Sequence, residues 1–333
     1  MNSRPLWLLG AGLGLLLLVG CGGKETAPDG SEVQQQKLLV YHAASLTQAF
    51  AVIEKRMEER HPGLDVICES SSTRLAIRKI TDLQRKGDII GSADDVLVRT
   101  MLMPEYTEWQ GIFATDRIVL AYTERSRCRS EINAENWYDI LLRPDVNYGY
   151  SDPNNAPVGY RTQLTWKLAT LHYKDTLGTR DLYQELLAGC PEKNIRPHCN
   201  ELIPLLESLA LDYIFEYRSV AMQHRLNWLK LPDEIDLGSA KQAPFYAKAH
   251  VQIAGKDRGS VQTVTGVPML FSATMLKGAQ NPEMALEFLQ ILFGPEGQKI
   301  MEDNFQETFT PVYCNEIQAV PEALRGLMRP TDF

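Results

Sequence analysis

The amino-acid sequence predicts an α/β protein built on parallel strands with helices on both faces. Short apolar runs rich in β-branched residues alternate with helical patterns along most of the chain. Small polar residues stand between several of these runs and the helices that follow. The chain has 333 residues, enough for two domains of ordinary size, and its apolar fraction of 44% is sufficient for full cores.

Three strand, loop and helix units follow one another in the N-terminal third of the chain. The predicted strands are Lys37–Tyr41, Leu64–Cys68 and Asp88–Ile90; the loops are 43–45, 69–73 and 91–94; the helices are 47–60, 75–84 and one through Leu97 and Met101. Repeated units of this kind predict neighbouring parallel strands whose carboxyl ends lie at one edge of the sheet. Ligands bind at that edge, and the serine-rich loops fall there.

A second lobe is predicted from residue 117 onward, because Ile118–Thr123 is a long apolar strand with no polar loop after it. Further strands are expected at 146–150 and 212–217 with extended chain at 264–276, and helices at 160–172, 201–209 and 282–304. We assign lobe I to 37–116 plus 275–333 and lobe II to 117–274. Two such lobes leave a cleft that the strand-end loops of both would face.

The N-terminus has the pattern of an exported lipoprotein. Arg4 precedes an apolar run that ends in Leu18-Val19-Gly20, and Cys21 follows it directly. A basic start, a short apolar core and small residues before a cleavage point are typical of a secretory signal. The run is too short and glycine-rich for a membrane span. We predict a signal peptide at 1–20, lipid on Cys21, and a flexible polar tether at 21–36 that holds the protein outside the cytoplasm.

Charge and cysteine usage restrict the partners and the cross-links. The net charge of −8 disfavours nucleic acid, which requires a basic face. Apart from Cys21 the chain has five cysteines, an odd number that cannot all pair: Cys68, Cys128, Cys190, Cys199 and Cys314. Cys190 and Cys199 bracket a turn-rich loop that could close as a disulfide in an oxidising compartment or leave both thiols free.

Neutral hydrogen-bond donors dominate the predicted strand-end loops. They are Ser45, the run from Ser70 to Thr73, and the backbone of 155–159. Each hydroxyl taken alone has an ordinary alternative role, the capping of a helix N-terminus. Together, beside helix N-termini, such donors suit a fully deprotonated oxyanion, which has only acceptors.

Hydrolase and phosphate-loop motifs are absent from the sequence. An extracellular esterase with Ser45 as nucleophile and His42 as base is the alternative from another class. Neighbouring positions in a tight turn do not by themselves bring a base within reach, and no third group orients His42. We therefore expect no catalytic residues and no enzyme activity.

Residues 38–313 resemble the substrate-binding proteins of molybdate/tungstate ABC transporters, and are most similar to the tungstate-type branch. The matching segments are 41–46 (YHAASL), 77–81 (IRKIT), 92–94 (SAD), 118–124, 136–138 (NWY), 143–146 (RPDV), 151–161 (SDPNNAPVGYR), 201–207 (ELIPLLE), 231–235 (LPDEI) and 281–283 (NPE). The resemblance implies a type II periplasmic-binding-protein clamshell of two lobes, each a mixed sheet flanked by helices. It also implies delivery of an oxyanion to a permease and its ATPase subunits.

The resemblance assigns ligand contacts to four places in the cleft. Ser45 with Ala44 matches the first loop, and Thr73, or Ser72 in a shifted register, matches the second. The turn from Ala156 to Val158 matches the third, and the spacing of Cys199 and Tyr217 matches the last two contacts. A strand tyrosine such as Tyr217 could equally belong to the core.

This chain departs from the tungstate-type branch at two of these places. In that branch two carboxylates approach the metal, whereas this chain has Ala156 and Cys199 there. We therefore predict that a tetrahedral anion is held by hydroxyls and backbone N–H groups, with no metal beyond the ligand itself and no cofactor. Asp152 or Asn155 could shift in as a substitute. Cys199 is expected to act through its backbone N–H, with a disulfide half or a facing thiolate as the alternatives.

Several further expectations complete the prediction. Arg161 is expected to pair with a carboxylate across the lobes rather than to contact the anion. The protein is expected to be a monomer that touches the membrane through its lipid alone. Sulfate or another oxyanion is the closest rival ligand, and a clamshell that has lost ligand binding is a further alternative.

Overall fold

A computed structural model describes residues 36–255 and 259–331, and Gln36–Phe333 form one compact unit. The predicted signal peptide, Cys21 and nearly all of the predicted tether lie outside the described residues. Within the described ranges, no helix is both long and apolar enough to cross a membrane.

Helices and strands alternate through the described chain. The strands are β1 (Gln36–Ala43), β2 (Leu64–Ser71), β3 (Ile89–Ser92), β4 (Gly111–Thr115), β5 (Ile118–Tyr122), β6 (Tyr148–Ser151), β7 (Ile195–Arg196), β8 (Tyr213–Tyr217), β9 (Asn227–Lys230), β10 (His250–Ala254), β11 (Val261–Thr265), β12 (Leu270–Met275), β13 (Glu307–Cys314) and β14 (Met328–Pro330). The helices are α1 (Thr47–Arg60), α2 (Thr73–Thr81), α3 (Asp95–Met101), α4 (Trp137–Leu141), α5 (Pro157–His172), α6 (Lys174–Leu177), α7 (Leu182–Gly189), α8 (Leu202–Glu207), α9 (Arg218–Gln223), α10 (Ala243–Tyr246), α11 (Pro282–Phe293), α12 (Pro295–Asp303) and α13 (Glu322–Arg325).

Two sheets divide the fold into two lobes. The sheet of lobe I has the order β14-β13-β4-β12-β3-β1-β2, and the sheet of lobe II has the order β7-β6-β8-β5-β9. β10 and β11 form a separate antiparallel pair. β1 pairs in parallel with β2 and β3, while β12 pairs antiparallel with β3 and β4. Each lobe is therefore a mixed sheet, and the loops after β1, β2 and β3 lie at one edge.

Local sequence explains where the elements differ from the prediction. The predicted extended segment 264–276 is two strands in different sheets, and β12 joins lobe I before the predicted boundary at 275. The predicted helix 282–304 is two helices, because Gly294 and Pro295 interrupt it and proline has no N–H to continue the helix. α5 begins at Pro157, earlier than predicted, since proline suits the first position of a helix.

Glycine at position 159 lets the first turn of α5 lie directly on the loop that follows β6. A Cβ at Gly159 would clash with the carbonyl oxygen of Ser151 and approach Asp152. Only glycine permits this approach. The N-terminus of α5 is thereby held close to the carboxyl ends of β6 and β8.

Candidate functional site

A small cavity lies between the two lobes, at the carboxyl ends of their parallel strands. Its volume is about 20 Å³, close to the space of a single water-sized group and far below that of sites for organic molecules. It is lined by Ala43, Ala44, Ser45, Ser72, Thr73, Ala93, Ala156, Pro157, Val158, His198, Cys199 and Tyr217. The structure thus brings every predicted ligand-binding residue to one place, including both candidates of the second loop.

Two serine hydroxyls of lobe I are buried at this cavity without a partner. Ser45 and Ser72 are 3% and 5% exposed, and neither Oγ has a hydrogen-bond partner among the described residues. Ser72 is the N-cap residue of α2, yet its side chain makes no cap hydrogen bond. The capping role that each serine could have had is therefore not used. An unpartnered buried hydroxyl is costly, about 1 to 3 kcal/mol, unless a ligand occupies it.

The Thr73 hydroxyl uses its oxygen as an acceptor but has no acceptor of its own for its proton among the hydrogen bonds described. Its Oγ1 accepts a hydrogen bond from the backbone N–H of Ala93 at 3.1 Å, and the residue is 1% exposed. Because the oxygen is the acceptor in this contact, its own proton stays available for donation. Ser72 and Thr73 both line the cavity, so the second loop brings a hydroxyl to it whichever of the two residues matches the family position.

Helix N-termini from both lobes meet at the cavity. A short 3-10 turn, Ala44–Leu46, leads into α1; α2 begins at Thr73 and α5 at Pro157. None of the three has a side-chain cap hydrogen bond. The first N–H groups of a helix have no partner within it, and the helix dipole adds partial positive charge there. The backbone therefore favours an anion in this cavity.

Tyr217, at the end of β8, is the one phenol among the described residues that line the cavity. Its oxygen accepts a hydrogen bond from Arg161 Nη1 at 2.9 Å, and burial raises the pKa of the phenol. Tyr217 is therefore neutral at physiological pH, with its proton free to donate into the cavity. Tyr217 is buried, as a core tyrosine would be, but it also lines the cavity.

Arg161 joins the two lobes behind Tyr217. Its Nη1 donates to the Ala93 carbonyl at 2.5 Å, and its Nη2 lies 3.1 Å from Asp94 Oδ2. Asp94 also accepts a hydrogen bond from Tyr160. Burial alone would lower the pKa of Arg161, but Tyr217 and Asp94 raise it, so the guanidinium stays charged. The predicted pairing of Arg161 with a carboxylate across the lobes is confirmed.

The lobe II side of the cavity has no ionised acid among the described lining residues. Ala156 and Cys199, the two positions where the family resemblance leads us to expect carboxylates, both line the cavity. Asp152 and Asn155, considered as substitutes, are bound to each other: Asn155 Nδ2 donates to Asp152 Oδ2 at 2.6 Å. Asp152 Oδ1 accepts from the backbone of Asn154 at 2.8 Å. The Asp152 carboxylate is held within its own loop.

Cys199 lies near the buried carboxyl group of Glu216, close enough for each to affect the pKa of the other. Burial raises the pKa of the Cys199 thiol, and Glu216 acts in the same direction. Burial also raises the pKa of Glu216 to about 8. Glu216 Oε1 accepts from the backbone N–H of Tyr217 at 2.8 Å, whereas Oε2 has no partner within the described chain. At neutral pH both groups are protonated, so a thiolate does not face the ligand.

The disulfide considered for Cys190 and Cys199 is not formed. Both are free thiols in the structure. The Cys190 Sγ contacts the Tyr148 carbonyl at 3.5 Å, and the Cys199 Sγ contacts Asn200 Oδ1 at 3.5 Å. Each sulfur thus contacts an oxygen atom rather than the other cysteine.

The Ser45 and His42 pair required by the esterase alternative is not assembled. His42 Nδ1 is 2.9 Å from the Ala43 carbonyl, and burial lowers the pKa of its ring. Ser45 Oγ makes no hydrogen bond to any described residue. A serine without a base in contact is not activated as a nucleophile.

His198 is a lining residue that sequence reasoning missed. It precedes the 3-10 turn Cys199–Glu201 and adopts an extended backbone. Its Nδ1 is buried and has no partner among the residues described, and its Nε2 lies 3.9 Å from Glu201 Oε1. Its position directly before Cys199 was the signal available in the sequence.

Comparison with known proteins is consistent with this geometry. Residues 38–305 match the family model of bacterial extracellular solute-binding proteins. The chain belongs to this family. It is 46% identical to an uncharacterized solute-binding protein of Petrotoga mobilis, over 88% of this chain and 90% of that protein. It is 37% identical to the molybdate/tungstate-binding protein WtpA of Pyrococcus abyssi, over 94% of this chain and 95% of the relative.

Solved structures show the same two-lobed fold. The sulfate-binding protein SubI of Mycobacterium tuberculosis superposes with a TM-score of 0.57 at 12% identity, covering 83% of this chain and 88% of that chain. The periplasmic molybdate-binding protein of Azotobacter vinelandii has a TM-score of 0.50 at 16% identity, with 81% and 98% covered. At these identities the likeness concerns the fold, and it agrees with the predicted type II clamshell. The family is one of exported solute-binding proteins rather than of enzymes.

Proposed function

We propose that this protein is the solute-binding component of an ABC importer and captures molybdate or tungstate as a tetrahedral dianion. The observation that carries the proposal is the pair of buried hydroxyls, Ser45 Oγ and Ser72 Oγ, that have no partner in the described structure. Both serines line the cavity of about 20 Å³, which has helix N-termini around it and no carboxylate in its described lining. The similarity to WtpA supports molybdate and tungstate over other oxyanions.

The absence of a carboxylate in the described lining bears on coordination and on selectivity. Without Asp or Glu at positions 156 and 199, hydroxyl and N–H donors hold the four oxygens, and the metal receives no protein oxygen. Inorganic phosphate keeps at least one proton near neutral pH, because losing the last proton would leave it with three negative charges. Where that proton meets one of the hydroxyl or N–H donors, the mismatch costs on the order of 1 to 3 kcal/mol. Molybdate, tungstate and sulfate have no such proton, and pocket size then discriminates among them.

The protein is further proposed to act outside the cytoplasm, anchored through lipid on Cys21, as a monomer that passes its ligand to a permease with ATPase subunits. The run Leu18-Val19-Gly20-Cys21 supports the anchor. Mass spectrometry of the N-terminal peptide from the native host tests it. A diacylglyceryl-modified Cys21 is expected, and an unmodified mature N-terminus elsewhere would contradict the anchor.

Calorimetric titration of the chain beginning at Gly22 tests the binding function. Molybdate, tungstate, sulfate and phosphate are titrated in one buffer that contains no oxyanion. Tight binding of the first two and none of phosphate is expected. Preferential binding of sulfate would establish the rival ligand, and no binding of any of the four would overturn the transport function. Hydrolysis of a chromogenic ester that is lost in Ser45→Ala would instead support the esterase.

A further inference from the structure

His198 brings a proton-binding group into the lining of the ligand cavity. The ring is about one-third exposed, at 32%, yet its Nδ1 atom is buried and has no hydrogen-bond partner in the described ranges. The extended backbone of His198, φ −125° and ψ 144°, starts the turn that also positions Cys199. His198 therefore lines the cavity with one ring nitrogen buried and unpartnered within the described chain, while the other nitrogen is on the side of Glu201.

The two ring nitrogens have different surroundings. Nε2 lies 3.9 Å from the Glu201 carboxylate, which favours a hydrogen on that nitrogen. In a neutral imidazole one nitrogen donates and the other accepts, so Nδ1 is then the acceptor; in the imidazolium both nitrogens donate. A fully deprotonated oxyanion offers only acceptors. It is repelled by a bare Nδ1 and attracted by a protonated one.

We propose that the cavity binds its dianion together with one proton, which His198 takes up at Nδ1 from the buffer. The proposal rests on the proposed oxyanion-binding function and adds a proton-linked contact to it. Histidine is the side chain best suited to this task, because it changes charge in the physiological pH range. The added positive charge donates to a ligand oxygen, and the second nitrogen stays beside Glu201.

Other titratable groups at this end of the cavity must be distinguished from His198. They are Glu201 on the same turn, Cys199, and Glu216 and Tyr217 of β8. Cys199 and Tyr217 are held protonated by burial and have no proton to gain. Glu216 is the competing acceptor. Burial raises its pKa to about 8, so at pH 7 it is already largely protonated.

Proton uptake can be measured directly by calorimetry. Molybdate is titrated into the chain beginning at Gly22, which keeps the compact unit Gln36–Phe333, at pH 7 in PIPES, MOPS and Tris. The observed enthalpy plotted against the ionisation enthalpy of the buffer has a slope equal to the number of protons taken up. We expect a clear positive slope for the wild type. In His198→Asn, whose amide can donate from the Nδ1 position without a proton, the slope should fall close to zero.

Three further variants complete the test. In His198→Ala the slope should fall to zero. Affinity should also fall about tenfold or more, as expected for the loss of a hydrogen bond to a charged group. His224→Asn, at an exposed histidine, should behave as the wild type. Glu216→Gln should leave the slope at pH 7 largely unchanged. Circular dichroism and thermal melting of each variant check that it is folded.

The outcomes separate the inference from the function on which it rests. Tight molybdate binding by the wild type with zero slope overturns the role of His198 and leaves the proposed function standing. A slope that survives in His198→Asn but is lost in Glu216→Gln assigns the proton to the Glu216 carboxyl group. That result also overturns the role of His198. No oxyanion binding by the wild type overturns the proposed function, and the inference with it.

Discussion

The two walls of the cavity differ in how their polar groups are partnered. On the lobe I wall, Ser45 and Ser72 offer hydroxyls that no described residue uses. On the lobe II wall, the one hydroxyl among the described lining residues is that of Tyr217, and it accepts a hydrogen bond from Arg161. Arg161 in turn contacts Asp94 and the Ala93 carbonyl of lobe I. The two serine hydroxyls of lobe I are thus unpartnered within the described chain, whereas the Tyr217 hydroxyl of lobe II takes part in the contact that joins the lobes.

The largest expected effect comes from breaking the contact between the lobes. Arg161→Met removes one partner of a fully buried ion pair and leaves Asp94 uncompensated, which typically costs about 3 to 5 kcal/mol. We expect the free energy of unfolding to fall by an amount of this order, with molybdate affinity lowered as well. Urea denaturation followed by tryptophan fluorescence measures the loss.

Arg129→Met is the matched control, because the Arg129–Glu124 pair is exposed. Surface pairs contribute about 0 to 1 kcal/mol, so this variant should remain near the wild type. If Arg161→Met were as stable as Arg129→Met, the contact of Arg161 with Asp94 would not hold the lobes together.

The next largest effect tests the lobe I wall. Ser45→Ala and Ser72→Ala each remove one donor to a charged ligand, an interaction of roughly 1.5 to 3 kcal/mol, so affinity should fall about tenfold to a hundredfold. Stability should not fall, because neither hydroxyl has a partner in the described structure. Calorimetric titration with molybdate and a thermal melt measure the two quantities.

Ser208→Ala is the control for these variants, since Ser208 is exposed and its Oγ donates only to the nearby Leu205 carbonyl at 3.2 Å. Its affinity should equal that of the wild type. Unchanged binding in both cavity variants would mean that these hydroxyls do not contact the ligand.

A smaller effect is expected from the lobe II wall. Tyr217→Phe removes the phenol donor but leaves Arg161 bound to Ala93 and beside Asp94. The phenol donates to the same charged ligand, an interaction of roughly 1.5 to 3 kcal/mol. Because the Arg161 cation stays in place, we expect the lower end of this range, a fall in affinity of about tenfold. A loss in Tyr217→Phe that exceeds the loss in either serine variant would reverse the assignment of the two walls.

The smallest effect concerns pH. Glu216 has its pKa raised by burial to about 8, from an ordinary value of 4.5, so its neutral form is the native one. Its contribution to stability is therefore largest at low pH and declines as pH rises from about 4.5 to about 8. Above about pH 8 its ionisation also places a negative charge behind Cys199 and should weaken dianion binding. Titrations at pH 7.5 and 9 measure this, and Glu216→Gln should remove the decline above pH 8.

Much of the site could be predicted because its residues follow local rules. Small polar residues after buried strands indicate loops at a sheet edge, and parallel strands bring such loops together. The cavity accordingly contains Ser45, Ser72 and Thr73, whereas Tyr217, which also lines it, is expected only from the family resemblance. The fold class and the alternation of elements follow from the same periodicity.

Other features depend on contacts that sequence spacing does not encode. The carboxylate that Arg161 meets could not be identified, because Asp94 belongs to a different lobe. The role of His198 depends on a short turn after β7 that carries no periodic pattern. The disulfide was left open because loop composition does not fix the directions of the two sulfurs, and the structure has both thiols free.

The most direct test of the donor-only cavity is the coordination of the bound metal. X-ray absorption spectroscopy of the protein saturated with tungstate counts the oxygens around tungsten and measures their distances. The account predicts a tetrahedral shell of four short oxygens, unchanged from free tungstate. Two additional, longer oxygen contacts would show that carboxylates reach the metal despite Ala156 and Cys199, and would contradict the account.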